Sequence, residues 1–111
     1  MGEVDTLVVL VTVPSVEEGT RLGKTLVEEH LAACVNVVPG VRSIFFWEGR
    51  LQEEGEALLV MKTGRERYEA LQRRILALHS YSVPEILALA VESASPAYVA
   101  WVRESVGTEG R

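Results

Sequence analysis

The chain has 111 residues, enough for one domain and too few for two separate cores, so we expect residues 1–111 to form a single domain. Its composition, 48% hydrophobic and 24% charged, is typical of a globular protein and excludes a disordered one. A formal net charge of -5 argues against nucleic acid and anionic membranes as partners, because phosphate groups attract basic surfaces. No apolar run approaches the ~18 residues of a membrane span. Since the one cysteine has no partner for a disulfide within the chain, we expect a cytoplasmic protein.

The first segment, Thr6–Val13, is rich in β-branched residues and predicts a short buried strand. Ser15 then begins SVEE, a capping box in which the serine accepts a backbone N–H and the second glutamate reaches back, which predicts a helix to about His30. Gly19 and Gly23 lie one turn apart in that helix. They predict that it packs closely against a sheet.

Three strands are predicted in the middle of the chain: Ala33–Val38, Val41–Trp47 and Arg50–Lys62. The proline-glycine pair between the first two predicts a turn, and Glu48-Gly49 predicts a tight antiparallel hairpin between the last two. Gly55 interrupts the third of these strands. It predicts a bulge or bend that swings the hairpin tip out of the main sheet.

The C-terminal half repeats the pattern of helix and strand. Thr63 begins a second capping motif, TGRE, and apolar residues at helical spacing follow it to about His79. A strand over Ile86–Val91 comes next, and Ser95 with Pro96 caps a final helix over Ala97–Val106. Counting the long hairpin as an insertion, the order is βαββαβ plus a terminal helix, which predicts an α+β, ferredoxin-like sandwich.

The predicted strands are apolar on both faces, although the helices of this fold cover only one. In the first strand Leu7, Val9 and Val11 lie on one face, while Val8 and Leu10 lie on the other. If roughly eight apolar side chains stayed in water, about 10 kcal/mol of burial would be lost, which rivals the stability of a whole domain. We therefore expect a neighbouring copy to cover the second face. The alternative is a monomer whose terminal helix folds right across it.

The residues give little support for catalysis. No nucleophile elbow, P-loop or GxGxxG motif is present, and the two histidines are not arranged as part of a triad. An acylphosphatase-like enzyme of this fold would need an arginine after the first strand, where the chain has PSV, and a copper chaperone would need a CxxC motif. The acidic cluster Glu53, Glu54 and Glu56 is interpreted as a solvated hairpin edge. We therefore expect that this protein is not an enzyme.

Metal ligation is the stronger chemical hypothesis. His79, Tyr81 and Glu85 cluster after the second helix, and the soft thiolate of Cys34 suits copper or zinc together with histidine. Each residue also has a structural interpretation. Cys34 lies in an apolar strand and fits a core position, whereas His79 fits a helix C-terminus, where imidazolium meets the dipole favourably.

Two long segments, LAACVNVVPGVRSIFFWEGRLQEEGEALLVMKT and HSYSVPEILAL, resemble the CutA divalent-cation tolerance family. The resemblance runs from the first strand to YVAW in the last helix, and the usual HPYEVPE motif reads HSYSVPE here. It implies a homotrimer of ferredoxin-like subunits, with the hairpin reaching neighbouring subunits, and a role in tolerance to copper and other divalent cations. Copper-binding relatives use a first-strand cysteine and paired histidines, where this chain has Val11 and the pair Leu78-His79.

Two hypotheses of function follow, with an enzyme of unknown reaction as a weaker third. The first is a non-enzymatic cytoplasmic homotrimer that binds copper or another divalent cation weakly, without needing it to fold. Its candidate ligands are His79, Glu85 and Cys34. The second is a signalling or scaffold trimer that binds a small metabolite or a partner protein in clefts between subunits. The resemblance implies that Trp47, Lys62 and Tyr81 line these clefts.

Overall fold

Residues 4–107 are described by a computed structural model and form one four-stranded antiparallel sheet with three α-helices. In chain order the elements are β1 (Thr6–Val13), α1 (Val16–Glu28), β2 (Cys34–Trp47), β3 (Arg50–Gly64), a 3₁₀ turn (Arg65–Arg67), α2 (Tyr68–Leu78), β4 (Ile86–Ala90) and α3 (Pro96–Val106). The strands lie in the order β2-β3-β1-β4. This is the predicted ferredoxin-like sandwich with a long hairpin and a C-terminal helix. Within this range no helix has the length and apolar character needed to cross a membrane.

One of the two hydrogen bonds predicted for the capping box of α1 is present. Ser15 Oγ accepts the backbone N–H of Glu18 at 3.1 Å. The carboxylate of Glu18, however, does not complete the capping box and instead accepts two hydrogen bonds from Ser80. The helix ends at Glu28, two residues before the predicted end, because His30 takes a left-handed conformation with φ 60°.

The predicted turn at positions 39 and 40 is wrong, because β2 runs through it as a single strand. Val38 pairs with Leu58 and Val41 pairs with Glu56, so two residues of β2 stand opposite one residue of β3. This is a β-bulge, and Gly40 supplies the positive φ, 78°, that it contains. The bulge predicted at Gly55 is also wrong, since that residue pairs regularly with Arg42. Beyond the bulge the hairpin projects past β1, which pairs with β3 only over residues 57–64.

The predicted caps of the other helices form no side-chain hydrogen bond. Thr63 belongs to β3, and its hydroxyl donates to the carbonyl of Leu31 at 2.7 Å instead of capping α2. A 3₁₀ turn with Gly64 as its N-cap leads into α2. Ser95 is the N-cap residue of α3, but its side chain makes no hydrogen bond to the helix. Tertiary contacts therefore replaced the local motif at Thr63.

The main core lies between one face of the sheet and helices α1 and α2. Its central members are almost fully buried: Val9, Val11, Leu26, Leu59, Met61, Leu71 and Ile75. A Cβ built at Gly19 would lie 2.9 Å from Leu59 Cδ2, and one at Gly23 would lie 3.0 Å from Val35 Cγ1. The close approach predicted for α1 is confirmed.

The opposite face of the sheet is covered only at one end, by α3. Val102 and Val106 pack there with Ala33. On the same face, Leu87 and Leu89 of β4 stay 53% and 49% exposed. The projecting hairpin exposes a further apolar set: Ile44, Phe46, Trp47 and Leu51. The alternative in which the terminal helix covers the whole second face is therefore wrong.

Candidate functional site

His79 lies at the C-terminal end of α2, where both of its ring nitrogens are hydrogen-bonded. Nε2 is 2.7 Å from the carbonyl oxygen of Thr12, and Nδ1 accepts the backbone N–H of Tyr81 at 3.0 Å. Since a carbonyl only accepts and an amide only donates, the hydrogen of the neutral ring is on Nε2. The side chain has no exposed area.

Tyr81 connects this histidine to the hairpin. Its ring is tilted against that of His79, with centroids 4.8 Å apart, and its hydroxyl donates to Glu56 Oε2 at 2.6 Å. Desolvation, followed by the hydrogen bond to Glu56, raises the pKa of the Tyr81 phenol well above its usual range. The phenol therefore remains a neutral donor. Glu56 lies beside the bulge, opposite Val41.

Glu18 holds the next residue of the same loop. Its carboxylate accepts the backbone N–H of Ser80 at 3.1 Å and the Ser80 hydroxyl at 3.0 Å. Glu18 Oε2 also lies 4.0 Å from His79 Nδ1. Three segments far apart in the sequence, the start of α1, the hairpin and the loop before β4, thus meet around His79.

A second cluster contains Cys34 and Lys62, which are cross-strand neighbours on the second face of the sheet. The ammonium of Lys62 donates to Asn36 Oδ1, and the Cys34 thiol lies 4.0 Å from the same oxygen. The half-buried thiol therefore has a cation nearby. Helix α3 packs at this end of the same face, where Val102 and Val106 lie against Ala33, the residue before Cys34. Burial is the main cause that raises the pKa of Tyr98 on α3.

The two clusters lie at different places on the sheet. Lys62 is paired with Val8 of β1, whereas His79 binds the carbonyl of Thr12, four residues along the same strand. At the rise of an extended strand, that separation is about 13 Å. The structure thus brings His79 together with Tyr81, and Cys34 together with Lys62, but does not bring Cys34 to His79.

The remaining candidates, Glu85 and Trp47, are both exposed. Glu85 lies on the loop before β4, and Trp47 lies at the hairpin tip, where it is 50% exposed. Neither takes part in the hydrogen bonds around His79.

Similarity to known proteins agrees with this fold. Residues 7–105 match the sequence model of a family described as CutA1 divalent ion tolerance protein. The chain belongs to this family. It is 49% identical over 100 residues to the divalent-cation tolerance protein CutA of Thermus thermophilus, covering 90% of this chain and 97% of the relative. A solved structure of the divalent cation tolerance protein Cut A1 from Thermus thermophilus superposes with a TM-score of 0.89 at 48% identity, over 92% of this chain and 99% of that one.

A plant member of the CutA1 family is more distant. It is the rice protein named CutA 1, chloroplastic, and it is 43% identical over 102 residues. The match covers 92% of this chain but only 58% of the rice protein. The chain thus spans somewhat more than half of that relative.

The family is named for divalent cations, and the hydrogen bonds of His79 decide whether its ring could bind one. A histidine that binds a metal needs one ring nitrogen with a free lone pair, and His79 has none. Across residues 4–107 no three side chains of histidine, cysteine, aspartate or glutamate gather in a way that could hold a metal ion. The single subunit therefore does not fit a metal at His79.

A cavity of about 270 Å³ opens beside the bulge. Its lining includes Ser15 at the start of α1, Arg42 of β2 and Glu56, the partner of Tyr81. It thus carries polar groups of both charges next to the His79 loop.

Four residues that build these clusters are not among the predicted site residues: Thr12, Glu18, Asn36 and Glu56. The sequence pattern assigns Glu18 to its own helix cap and Glu56 to a solvated edge. The acidic cluster at the hairpin was the one signal available for Glu56. No local pattern pairs Glu18 with Ser80, which lies 62 positions away.

Proposed function

We propose that this chain acts as a homotrimer in tolerance to divalent cations, without catalysis of its own. The observation that supports assembly is the uncovered apolar surface on the second face of the sheet and on the hairpin. A buried aliphatic or aromatic side chain stabilises by about 1.5–3 kcal/mol, so leaving several of them in water forfeits much of the stability available to a small domain. The number three and the role in tolerance are proposed from membership of the family.

Copies of this chain are well suited to cover this surface. The hairpin beyond the bulge is mostly exposed in its own subunit, and its exposed residues Phe46 and Leu51 form a register pair. In a symmetric assembly, the projecting hairpin of one subunit would bury these residues against the exposed second face of another.

We propose that the assembly binds divalent cations weakly. His79, the best donor by residue type, already uses both nitrogens, and the ammonium of Lys62 lies close to the Cys34 thiol and opposes a nearby cation. Exposed carboxylates such as Glu85 are left as low-affinity ligands. The proposed compartment is the cytoplasm, since Cys34 is a free thiol.

Assembly is tested by sedimentation equilibrium over a wide range of protein concentrations. The wild type is expected at three times 12.2 kDa. Leu87→Lys places a charge on the second face and is expected to dissociate the trimer. Leu76→Lys is the matched control, because Leu76 is 48% exposed on α2, away from that face. A wild type that remains monomeric at every concentration would reject the proposal.

Tolerance is tested by growth on copper or zinc of a host that lacks its own family member. Expression of the wild type is expected to restore growth, and expression of Leu87→Lys is not. Calorimetric titration with copper and zinc should give weak isotherms. Tight stoichiometric binding, or a catalytic turnover, would contradict this account.

The cavity beside the bulge favours the second hypothesis, a signalling or scaffold trimer with ligand clefts between subunits. Arg42 and Glu56 lie in its lining, where Arg42 is paired with Glu53 at 2.9 Å and Glu56 accepts from Tyr81, so a small polar metabolite would have to share or displace these bonds. Native mass spectrometry of the protein purified from its source would show a retained organic ligand. Recovery of the bare trimer would argue for the first hypothesis.

A further inference from the structure

We infer that His79 is a positioning residue, fixed as its Nε2–H tautomer, that sets Tyr81 against the hairpin, and that its imidazole does not bind divalent cations. The inference goes beyond the proposed function and does not depend on the number of subunits, because every contact that carries it lies within one chain. By residue type, His79 would otherwise be the strongest metal ligand of this region.

His79 contacts β1 where the pairing of that strand with β4 ends. The pairing of β1 with β4 ends at Val11 and Ile86, so Thr12 has no partner on β4. His79 Nε2–H donates to the carbonyl of Thr12 in its place. The imidazole therefore continues the hydrogen bonding of β1 on its β4 side by one position, as a ladder hydrogen bond would. A carbonyl left unpaired in this part-buried position would be costly.

His79 also contacts the loop that follows α2. Nδ1 accepts the backbone N–H of Tyr81, two residues along the chain, which fixes the direction in which the loop leaves α2. The Tyr81 hydroxyl then reaches Glu56 on β3. Glu18 supports the same arrangement through Ser80. The buried ring of His79 thus joins β1 to the loop, and Tyr81 joins the loop to the hairpin.

A metal ion at His79 would displace one of these two hydrogen bonds. A cation at Nδ1 would replace the N–H of Tyr81, and a cation at Nε2 would replace the bond to Thr12. Either cation would leave a main-chain group without its hydrogen-bond partner. It would also place a charge next to the His79 ring, which has no exposed area. The nearest carboxylate, that of Glu18, is already engaged with Ser80.

The tautomer is tested by long-range proton–nitrogen NMR of the histidine rings. His30→Asn leaves His79 as the only histidine and suits the left-handed backbone at that position. The expected spectrum is that of the Nε2–H tautomer, unchanged by added zinc chloride, whereas the exposed His30 of the wild type can respond. A zinc-induced shift of either His79 nitrogen, or an Nδ1–H spectrum, would overturn the inference.

The positioning role is tested by hydrogen exchange at the Tyr81 amide. His79→Leu removes both bonds and is expected to raise the exchange rate at Tyr81 about tenfold or more, while His79→Gln, with one donor and one acceptor, restores part of the protection. Tyr81→Phe is the control, because it breaks only the bond to Glu56. Zinc affinity is expected to be the same in the wild type and in both His79 variants. Unchanged exchange in His79→Leu, or loss of zinc binding in His79→Gln, would refute the assignment.

Discussion

At the scale of single residues, the buried polar side chains bind main-chain groups that are remote in sequence. The Thr63 hydroxyl donates to the carbonyl of Leu31, and His79 Nε2–H donates to that of Thr12. Over residues 4–107, no buried side-chain nitrogen or oxygen lacks a hydrogen-bond partner. These side chains therefore add directional contacts between segments that are remote in sequence.

Thr63→Val tests this role in the core. Valine keeps the shape of threonine but leaves the carbonyl of Leu31 without its donor, so we expect the free energy of unfolding to fall by about 1–3 kcal/mol. Thr63→Ser, which keeps the hydroxyl, should retain more of this hydrogen bond. Denaturant unfolding measures both variants. Equal stability of Thr63→Val and the wild type would contradict the assignment.

The raised pKa of Tyr81 predicts that the stability of the protein depends on pH in the alkaline range. Its pKa is raised above the ordinary value of 10.0, chiefly by desolvation and then by Glu56. The folded state thus holds the phenol proton more tightly than the unfolded state does. This contribution to stability is complete below pH 10.0 and is lost as pH rises through the raised pKa.

The measurement is the ultraviolet absorbance of tyrosinate in the wild type minus that in Tyr81→Phe. The difference should titrate above pH 10.0. Glu56→Gln removes the negative charge and should bring the titration back toward the ordinary value. A difference curve centred at or below pH 10.0 would show that Tyr81 does not make this contact.

At the scale of elements, the hairpin shows which local signals were sufficient. Glu48 and Gly49 have φ of 54° and 78°, so both central residues of the turn are left-handed, as a tight hairpin requires. The proline-glycine pair at 39–40 has similar chemistry but forms a bulge. The difference is that the residues on both sides of that pair join one partner strand, which local sequence does not reveal.

Two substitutions in this turn are expected to change the free energy of unfolding in opposite directions. Glu48→Asn should raise the free energy of unfolding by up to about 1 kcal/mol, because asparagine accepts the left-handed conformation more readily than glutamate. Gly49→Ala should lower it by about 1 kcal/mol, because a Cβ is unfavourable at φ 78°. Thermal unfolding measures both. Effects of the same sign would mean that the backbone of this turn differs from the one described.

At the scale of the whole molecule, the unburied apolar surface is the feature that links fold to function. The sequence predicted it from strands that are apolar on both faces, and the structure shows that α3 covers only the end near Ala33. Exposed apolar side chains continue along the hairpin to its tip, beyond the end of β1.

Trp47 reports on this surface. In Trp101→Phe it is the only tryptophan, and at the exposed hairpin tip it should be covered when subunits assemble. Its fluorescence should therefore lie at shorter wavelength in the assembled protein and shift to longer wavelength when Leu87→Lys is added. Trp47→Phe, which leaves only Trp101, is the comparison. Emission from Trp47 that is the same in both states would place the tip outside any interface.

The sequence by itself determined the order of elements apart from the continuity of β2, and also the cap at Ser15, the close approach at Gly19, the tight turn at Glu48 and the excess of apolar strand surface. Each of these depends on neighbours within a few positions or on the alternation of side chains along one strand. Only the tertiary structure decided the bulge in β2, the true partner of Thr63 and the surroundings of His79. Those depend on segments such as Thr12, Glu18 and Glu56, which approach one another only when the sheet and helices pack. For His79 this packing turns a residue typical of metal sites into one with no free lone pair.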